Sequence, residues 1–473
     1  MDELDRYDAL GLGELVTCGE VTPAELLDRA IARVEAVNST INAVVIKHYD
    51  EARAQLAASP PAGAFAGVPF LLKDLNVGLA GTVTSEGCHA FANQIAPADT
   101  TLVQRAKAAG MVVFGKTASP EFGLTTTTES RLWGQTRNPW SLDRIAGGSS
   151  GGAAAAVAAR ISPIAHASDG GGSIRIPASC CGLFGLKPSR GRVPTSPGVG
   201  IGWNGLSCQH AVSISVRDSA ALLDALSGPE IGDSVVAPAS GPYRQAAGRV
   251  PSRLRIALVE QAASGAALHP DCREALQDAA RLCESLGHAI EPADLDFDAA
   301  RLGEAMTACI AVDIATRLDR CAAERGRPIT EDDVEAVTWR FSERGRTVTG
   351  QAYAGARRLF DEAAARYAER FAAFDLVLSP VLAAPPAPLG LLRLDQDIGA
   401  YARAIGAFSP YTALHNQIGA PAMSVPLYWN AEDLPIGVMF AAPYAREDLM
   451  FSLAGQLEAA RPWAGKLPPV VAG

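Results

Sequence analysis

The chain has 473 residues, of which 48% are hydrophobic and 19% are charged, and its formal net charge at pH 7 is −10. This composition can fill a large buried core, which excludes disorder as the main state of the chain. The excess of acidic residues, without any basic block, argues against a surface for nucleic acids or anionic membranes.

The first strong secondary-structure signal is a helix at residues 22–37. Thr22 is a typical N-cap, Pro23 suits the first helical position, and Glu25 completes a capping box before apolar residues at helical spacing. After a stretch rich in Pro, Ala and Gly, the run VPFLLKDLNV carries no charge until Lys73. This run predicts a buried strand with Lys73 at its end.

Helical and strand-like patterns then alternate, which predicts an α/β fold. The run TTLVQRAKAA at 100–109 predicts a helix, and MVVFGKT after it predicts a strand. Further helices are predicted at 215–228, at 270–287 and through much of 299–375, and further strands at 374–382, 421–429 and 434–443. No repeat or low-complexity linker interrupts the chain. We therefore expect a single domain over 1–473, with 299–375 as a helical subregion that shapes the substrate pocket.

The cysteines and histidines indicate the cellular setting. Nine cysteines are spread along the chain without a C-x-x-C pair, and seven histidines show no metal-ligand spacing. This usage is typical of a reduced, intracellular protein and predicts no metal site. The first residues lack the basic and then apolar order of a signal peptide, and no apolar run reaches the length of a membrane span. We expect a cytoplasmic protein without a cofactor or a membrane partner.

Two glycine-rich loops dominate the sequence, GGSSGG from residue 147 and DGGGS from residue 169. Glycine-rich turns that lead into helices can present backbone N–H groups to phosphates. However, GGSSGG does not match G-x-x-x-x-G-K-[ST], no lysine follows it, and the second loop does not match G-x-G-x-x-G. The loops therefore do not indicate nucleotide binding.

A second interpretation places Ser149 in the G-x-S-x-G nucleophile elbow of an α/β-hydrolase, which must sit between a strand and a helix. The alanine-rich helix after Ser149 is predicted, but residues 134–146 contain Asn-Pro and a Ser-Leu-Asp turn and predict no strand. In such hydrolases the triad residues follow one another along the chain as Ser, then Asp or Glu, then His. His288 or His415 could be the last of these, although no motif surrounds either. An esterase that uses Ser149 remains an alternative.

The third interpretation combines both loops with Lys73. Serine is a weak nucleophile that needs a base, and burial can lower the pKa of a lysine until it serves as one. Three glycines before Ser173 allow backbone N–H groups to converge where an oxyanion would form, which favours Ser173 as the nucleophile. Ser149 can relay the proton, since a hydroxyl both donates and accepts. The result is a Ser-Ser-Lys triad.

These segments resemble the amidase signature family. The matching runs span most of the chain: GVPFLLKD (67–74), GKTASPEFG (115–123), NPW (138–140), GGSSGGAAAAVAA (147–159), SDGGGSIRIPASCCGLFGLKPSRGRV (168–193), SVRDSAALLDALSG (215–228) and GAPAMSVP (419–426). The resemblance implies a central mixed, twisted β-sheet that is covered by α-helices on both faces. It also implies amide hydrolysis through an acyl-enzyme.

The family pattern assigns roles to positions of this sequence. It implies that Lys73 is the base, that Ser149 is the bridging serine after a cis peptide bond, and that Ser173 is acylated. It places the oxyanion hole on the N–H groups of Gly170, Gly171, Gly172 and Ser173. The segment that holds Gly123 would line the acyl side of the pocket.

One departure from the common pattern points to a branch of the family. Many members have Asp-Thr-Gly-Gly-Ser where this chain has Asp-Gly-Gly-Gly-Ser, and this chain also carries GLSCQHAVSISVRDSA at 205–220. Both features resemble the branch of 6-aminohexanoate cyclic-dimer hydrolases and aryl-amide or urethane-cleaving amidases. They argue against the glutaminase subunit of the tRNA-dependent amidotransferase, which stays an alternative together with a catalytically silent subunit that binds a partner.

Two further residues have two interpretations each, and two others have a single expected role. Ser150 contacts substrate or caps the helix that begins at 151, and Cys309 contacts substrate or packs in the core. Arg175 is expected to pair with a buried carboxylate, and His166 is expected to be structural because the triad needs no histidine. The expected partners are a small apolar or oligomeric amide, linear or cyclic, and water, with a homodimer as a further possibility.

Overall fold

The computed structural model describes residues 3–195 and 202–472. The helices are α1 (Ala9–Cys18), α2 (Pro23–Ile41), α3 (Tyr49–Ala58), α4 (Thr101–Ala108), α5 (Gly151–Ala158), α6 (Arg175–Cys181), the single turn α7 (Gly202–Gly205), α8 (Val216–Leu226), α9 (Tyr243–Ala247), α10 (Pro270–Ser285), α11 (Ala299–Arg325), α12 (Ala336–Thr347), α13 (Gly350–Arg370), α14 (Ile398–Phe408), α15 (Ala413–Gln417) and α16 (Glu447–Ala460). The strands are β1 (Val44–Lys47), β2 (Pro69–Lys73), β3 (Val112–Thr117), β4 (Glu129–Ser130), β5 (Gly134–Gln135), β6 (Arg137–Asn138), β7 (Ser141–Ile145), β8 (Ile164–Asp169), β9 (Phe184–Lys187), β10 (Cys208–Ser213), β11 (Arg255–Leu258), β12 (Ala289–Pro292), β13 (Leu376–Pro380), β14 (Ala422–Trp429) and β15 (Pro435–Ala441).

Within the described residues, eleven strands form one sheet in the order β1-β3-β2-β8-β10-β9-β14-β15-β13-β11-β12. The β3-β2-β8 group and the β13-β11-β12 group are parallel, and the strands between these groups are antiparallel. The sheet is therefore mixed, as the sequence resemblance implied.

Helices cover both faces of this sheet. Side chains along a strand point alternately to opposite faces, and β2 shows where each face packs. Phe70 and Leu72 contact an apolar cluster that contains residues of α1, α4, α8, α10 and α16. Leu71 contacts a different cluster that contains residues of α2 and α5. The α/β architecture with helices on both faces is confirmed.

The structure contains the helices and strands that the sequence predicts, and it adds others that the sequence pattern did not predict, among them the sheet strands β1 and β8 to β12. The capping box forms, since Glu25 N–H donates to Thr22 Oγ1 at 3.2 Å and Thr22 N–H donates to Glu25 Oε2 at 2.7 Å. The segment 134–146 contains the strand β7, although no strand was expected there. This strand pairs with β6 in a two-stranded ribbon outside the main sheet, because the Asn-Pro-Trp turn folds it straight back, and its other side forms a single bridge from Arg144 to Pro388. It therefore provides no sheet support for an elbow at Ser149.

The parallel group β3-β2-β8 determines where the candidate site lies. The carboxyl ends of parallel strands meet at one edge of a sheet, where ligands bind in open α/β sheets. Lys73 ends β2 and Asp169 ends β8, and the Gly170–Gly172 loop leaves β8 at this edge. In the described part of the chain, none of the helices combines the length and the apolar character that a membrane crossing requires.

Candidate active site

Lys73 is fully buried and its amino group faces two hydroxyls. Its Nζ lies 2.7 Å from Ser149 Oγ and 3.1 Å from Ser168 Oγ. The backbone N–H of Lys73 donates to Nδ1 of His166 at 3.1 Å, which holds the end of β2 against β8. The structure thus brings Lys73 and Ser149 into contact, and Ser168 is an additional partner of the amino group.

Burial changes the acidity of this lysine. Removal from water disfavours the charged amino group and lowers the pKa of Lys73 from 10.5 to about 7, although Asp169 and Glu86 partly oppose the shift. A lysine with this pKa is neutral in a large fraction of molecules at neutral pH. Lys73 can therefore accept a proton under ordinary conditions.

Glycines bring the backbone close to Ser149. The peptide bond between Gly148 and Ser149 is cis. A Cβ atom on Gly148 would lie 2.4 Å from Thr127 O, and one on Gly123 would lie 3.0 Å from Ser149 Oγ. Gly123 also has a φ of +72°, which L side chains rarely adopt. Gly123 thus lies directly against the Ser149 hydroxyl, and its place on the acyl side of the pocket stays a prediction.

Ser173 follows the second glycine loop and has 8% of its surface exposed, against 2% for Ser149 and none for Lys73. Among the described residues, no hydrogen bond joins the Ser173 hydroxyl to that of Ser149. The structure therefore joins Lys73 to Ser149 directly, and within residues 3–195 and 202–472 the Ser173 hydroxyl, at the more accessible end of the group, has no hydrogen-bond partner.

The oxyanion loop differs in one respect from the sequence prediction. The N–H of Gly172 donates to Asp169 Oδ1 at 2.7 Å, so this amide is already used inside the protein. The amides of Gly170, Gly171 and Ser173 have no acceptor within the described part of the chain. Gly172 is therefore corrected from an oxyanion donor to a structural one, because the buried Asp169 carboxylate captures its N–H.

Asp169 anchors this loop through charged hydrogen bonds. Arg175 donates to Asp169 from Nε and from Nη2, both at 2.9 Å, and neither side chain is exposed. Burial alone would raise the pKa of Asp169, but the Arg175 charge and its hydrogen bonds hold that pKa well below its usual range. The expected pairing of Arg175 with a buried carboxylate is confirmed.

His166 is positioned as a structural residue. Its Nδ1 accepts the Lys73 N–H, and its Nε2 lies 2.8 Å from Gln209 Oε1. Burial lowers the pKa of His166 to about 3, so the ring is neutral at physiological pH. Neither ring nitrogen contacts Ser149 or Ser173, which agrees with the expected structural role.

Ser150 and Cys309 are both fully buried. The Ser150 hydroxyl donates to Ser168 O at 3.2 Å and accepts from Ser168 N–H at 3.3 Å, and it makes no cap bond to α5. Ser150 therefore ties α5 to β8, a role different from both that were considered. Cys309 packs in an apolar cluster beneath α11. Neither side chain is exposed in this structure, and the substrate contacts expected of Ser150 and Cys309 stay predictions.

Several residues near the oxyanion loop were not predicted as site residues. A Cβ on Gly170 would lie 2.6 Å from Trp203 Cε3, and one on Gly171 would lie 3.0 Å from Met306 Cε, so these two side chains flank the loop. Thr412 Oγ1 donates to Gly171 O at 2.6 Å, and Asn416 Nδ2 donates to Asp169 O at 2.9 Å. No local pattern marks these residues, because they reach the loop from distant parts of the chain.

Known proteins that resemble this chain share its full extent. A model of the Amidase family matches residues 25–451. The chain is 40% identical to a 6-aminohexanoate-cyclic-dimer hydrolase of Pseudomonas sp. (strain NK87), over 100% of this chain and 98% of that protein. The solved structure of a 6-aminohexanoate cyclic dimer hydrolase superposes with a TM-score of 0.92 at 39% identity, covering 99% of this chain and 100% of that one.

A second solved structure widens the comparison. A bacterial aryl acylamidase of the amidase signature family superposes with a TM-score of 0.88 at 28% identity, over 97% of each chain. The family match, the identity to full-length hydrolases and the common fold together show that this chain belongs to the amidase signature family and is an enzyme that hydrolyses amide bonds.

Proposed function

We propose that this enzyme cleaves its amide through an acyl-enzyme on Ser173, with Ser149 as the proton relay and Lys73 as the base. The observation that carries this proposal is the contact of 2.7 Å between Ser149 Oγ and the Nζ of a fully buried lysine. A lysine of lowered pKa beside a serine is the arrangement that activates a serine without histidine.

Acylation begins with two proton transfers. Neutral Lys73 takes the proton of Ser149 as Ser149 takes the proton of Ser173, and the Ser173 oxygen attacks the carbonyl carbon. The relay requires the Ser173 hydroxyl to reach Ser149 Oγ when substrate is bound, and catalytic hydrogen bonds commonly tighten at that stage. The carbonyl π electrons move to oxygen, where free loop amides hold the negative charge.

The leaving group then needs a proton. The Lys73 ammonium returns its proton through Ser149 to the amide nitrogen, so that the carbon–nitrogen bond breaks and the amine departs. Water attacks the remaining ester on Ser173 by the reverse relay, which releases the carboxylic acid and restores the Ser173 hydroxyl. All three residues end the cycle in their starting protonation states.

The substrate that we propose is a small uncharged carboxamide of the 6-aminohexanoate cyclic-dimer type. The relative at 40% identity supports this class. The glycine loop is flanked by the apolar side chains of Trp203 and Met306, which suit an uncharged substrate. An aryl amide is the second candidate, supported by the aryl acylamidase structure at 28% identity, and a carbamate is the third.

We also propose that the chain acts as one amidase domain over 1–473, with 299–375 on the substrate side. Support comes from α11, which lies in this region and carries Met306 to the oxyanion loop.

Covalent labelling tests the nucleophile. Wild type and the variants Ser173→Ala and Ser149→Ala are treated with a fluorophosphonate, and the adduct is mapped by mass spectrometry. We expect the label on Ser173 in wild type and no label in Ser173→Ala. A label on Ser149 would support an esterase instead. Absence of label from folded wild-type protein would favour a catalytically silent subunit.

A substrate panel tests the reaction class. Purified enzyme is incubated with 6-aminohexanoate cyclic dimer, a linear aliphatic amide, an aryl amide, a carbamate and glutamine, with Ser173→Ala as the blank. We expect the cyclic dimer to give the highest kcat/KM. Preferred turnover of the aryl amide or the carbamate would replace the proposed substrate, while turnover of glutamine alone would favour the amidotransferase alternative.

A further inference from the structure

The peptide between Gly171 and Gly172 is held at both ends by side chains. Its N–H donates to Asp169 Oδ1 at 2.7 Å, and its carbonyl accepts from Thr412 Oγ1 at 2.6 Å. Asp169 ends β8, whereas Thr412 lies 241 positions after Gly171 along the chain, immediately before α15. Two distant parts of the fold therefore fix the plane of this peptide.

Thr412 is itself rigidly held. It is fully buried, and its backbone carbonyl accepts from Arg175 Nη1 at 2.9 Å. The same arginine binds Asp169, so both partners of the Gly171–Gly172 peptide are tied to one guanidinium. A Cβ on Gly172 would lie 2.4 Å from Thr412 Oγ1, which shows how closely the threonine approaches the loop.

Three successive glycines would otherwise leave the loop free. Glycine loses more conformational freedom on folding than any other residue, and a hole of backbone donors is effective only when its N–H groups are oriented in advance. Because the Gly171–Gly172 peptide is fixed, the dihedral angles on either side of it restrict where the amides of Gly171 and Ser173 can point. These amides are among those left without an acceptor in the described residues.

We propose that Thr412 is a positioning residue, whose hydroxyl orients the oxyanion amides by fixing the Gly171 carbonyl. The inference rests on the proposed acyl-enzyme mechanism. Thr412 does not touch the reacting atoms in this mechanism, and it acts through the peptide that it holds.

Three substitutions distinguish the effect of the Thr412 hydroxyl from the effect of the bulk of its side chain. Thr412→Ser keeps the donor, Thr412→Val keeps the bulk and Thr412→Ala removes both. We expect kcat for the amide to fall about 10- to 100-fold in the alanine and valine variants. KM should change little, because the ground-state carbonyl makes weaker demands on the hole than the oxyanion does. The serine variant should retain most of the wild-type kcat.

The control is a buried threonine with an equivalent bond elsewhere. Thr136 is fully buried, and its Oγ1 donates to the carbonyl of Asn42 at 2.7 Å. Thr136→Val therefore removes a comparable hydrogen bond, and we expect it to lower stability without slowing acylation.

The decisive measurement is the first-order rate of fluorophosphonate attachment to Ser173 at saturating reagent. Negative charge develops on the phosphoryl oxygen during this step, so the rate reports the oxyanion hole and refers only to folded molecules. Slow labelling in the alanine and valine variants, with the serine and Thr136→Val variants near wild type, supports the proposal.

Two outcomes overturn the role of Thr412 while leaving the mechanism intact: labelling of Thr412→Ala and Thr412→Val at the wild-type rate, or labelling of Thr412→Ser as slowly as Thr412→Ala. If folded wild-type enzyme is not labelled on Ser173 at all, the acyl-enzyme mechanism fails, and the inference about Thr412 fails with it.

Discussion

The chemistry of Lys73 depends on its surroundings more than on its residue type. The side chain is fully buried at the end of β2 and meets the hydroxyls of Ser149 and Ser168. A lysine at a strand end is usually solvated and charged, with its stem on apolar surface and its amino group in water. Here the amino group is enclosed, and burial brings the pKa of Lys73 to about 7.

The pH dependence of acylation follows from this pKa. The amine of Lys73 is the active form, so the single-turnover acylation rate should rise through about pH 7 and level off about two pH units higher. Rapid-quench measurement of acyl-enzyme formation between about pH 5.5 and 9.5 checks this expectation. A rate that stays flat, or that falls as the pH rises through 7, would contradict a lysine base.

The buried ion pair beside the nucleophile should contribute far more to stability than an exposed one. Arg175→Met leaves the Asp169 carboxylate buried without its partner, which should lower the free energy of unfolding by about 3–5 kcal/mol. Urea denaturation monitored by circular dichroism measures this change.

The control for that change is Arg281→Met. Arg281 pairs with Glu274 at 2.9 Å, but about half of each side chain is exposed, and we expect a loss of no more than about 1 kcal/mol. Equal losses in the two variants would show that the Asp169–Arg175 pair has no special role in stability.

At the scale of elements, the close approach of α5 to its neighbours explains its sequence. The helix is built of glycine, alanine and one valine, and all its residues are buried. A Cβ on Gly152 would lie 2.4 Å from the backbone N and 2.7 Å from the backbone O of Ala118. Small side chains let α5 lie against the backbone after β3, which positions the serine loop that precedes the helix.

Two helical glycines should respond in opposite ways to the same substitution. Gly152→Ala forces a methyl group into the Ala118 backbone, so we expect a loss of about 2–3 kcal/mol of unfolding free energy. Gly303→Ala in α11 meets nothing within 4 Å and should add about 0.5–1 kcal/mol through helix propensity. Thermal and urea unfolding of both variants test this contrast, and a stabilised Gly152→Ala would contradict the close packing.

The elements that the sequence predicts carry strong local signals, whereas strands such as β8, which lies in a glycine-flanked segment, do not. The capping box of α2 forms between Thr22 and Glu25, which are three residues apart, and β2 is an uninterrupted apolar run up to Lys73. The ribbon strand β7 is not predicted because its pattern, SLDRI, is polar and short, and it forms through pairing with β6 and a bridge to Pro388.

At the scale of the whole molecule, the helical region 299–375 contacts the oxyanion loop, at the sheet edge where β2 and β8 end, through α11. Met306 lies against Gly171, and its sulfur accepts from Gln417 Nε2 at 3.6 Å. Cys309, almost one turn further along α11, is enclosed in the apolar cluster. Met306 and Cys309 are thus only three residues apart on α11, yet one side chain lies at the oxyanion loop and the other lies in the core.

Substitutions in α11 distinguish these two positions. Met306→Ala removes apolar surface beside the oxyanion loop, and we expect KM for the preferred amide to rise about 5- to 50-fold with stability little changed. Cys309→Ala should leave KM unchanged and lower the unfolding free energy by about 1 kcal/mol. Steady-state kinetics combined with urea denaturation measure both effects. A KM effect confined to Cys309→Ala would restore the cysteine as the substrate contact.

The sequence by itself determined the α/β class, the positions of the helices and strands that carry strong local signals, and the three residues proposed as base, relay and nucleophile. Each of these depends on local periodicity, capping or a short motif. The tertiary structure alone decided that Gly172 donates to Asp169, that Ser150 ties α5 to β8, and that Thr412 reaches the Gly171 carbonyl. These contacts join residues through the packing of separate strands and helices, and no local pattern encodes which distant side chain will arrive.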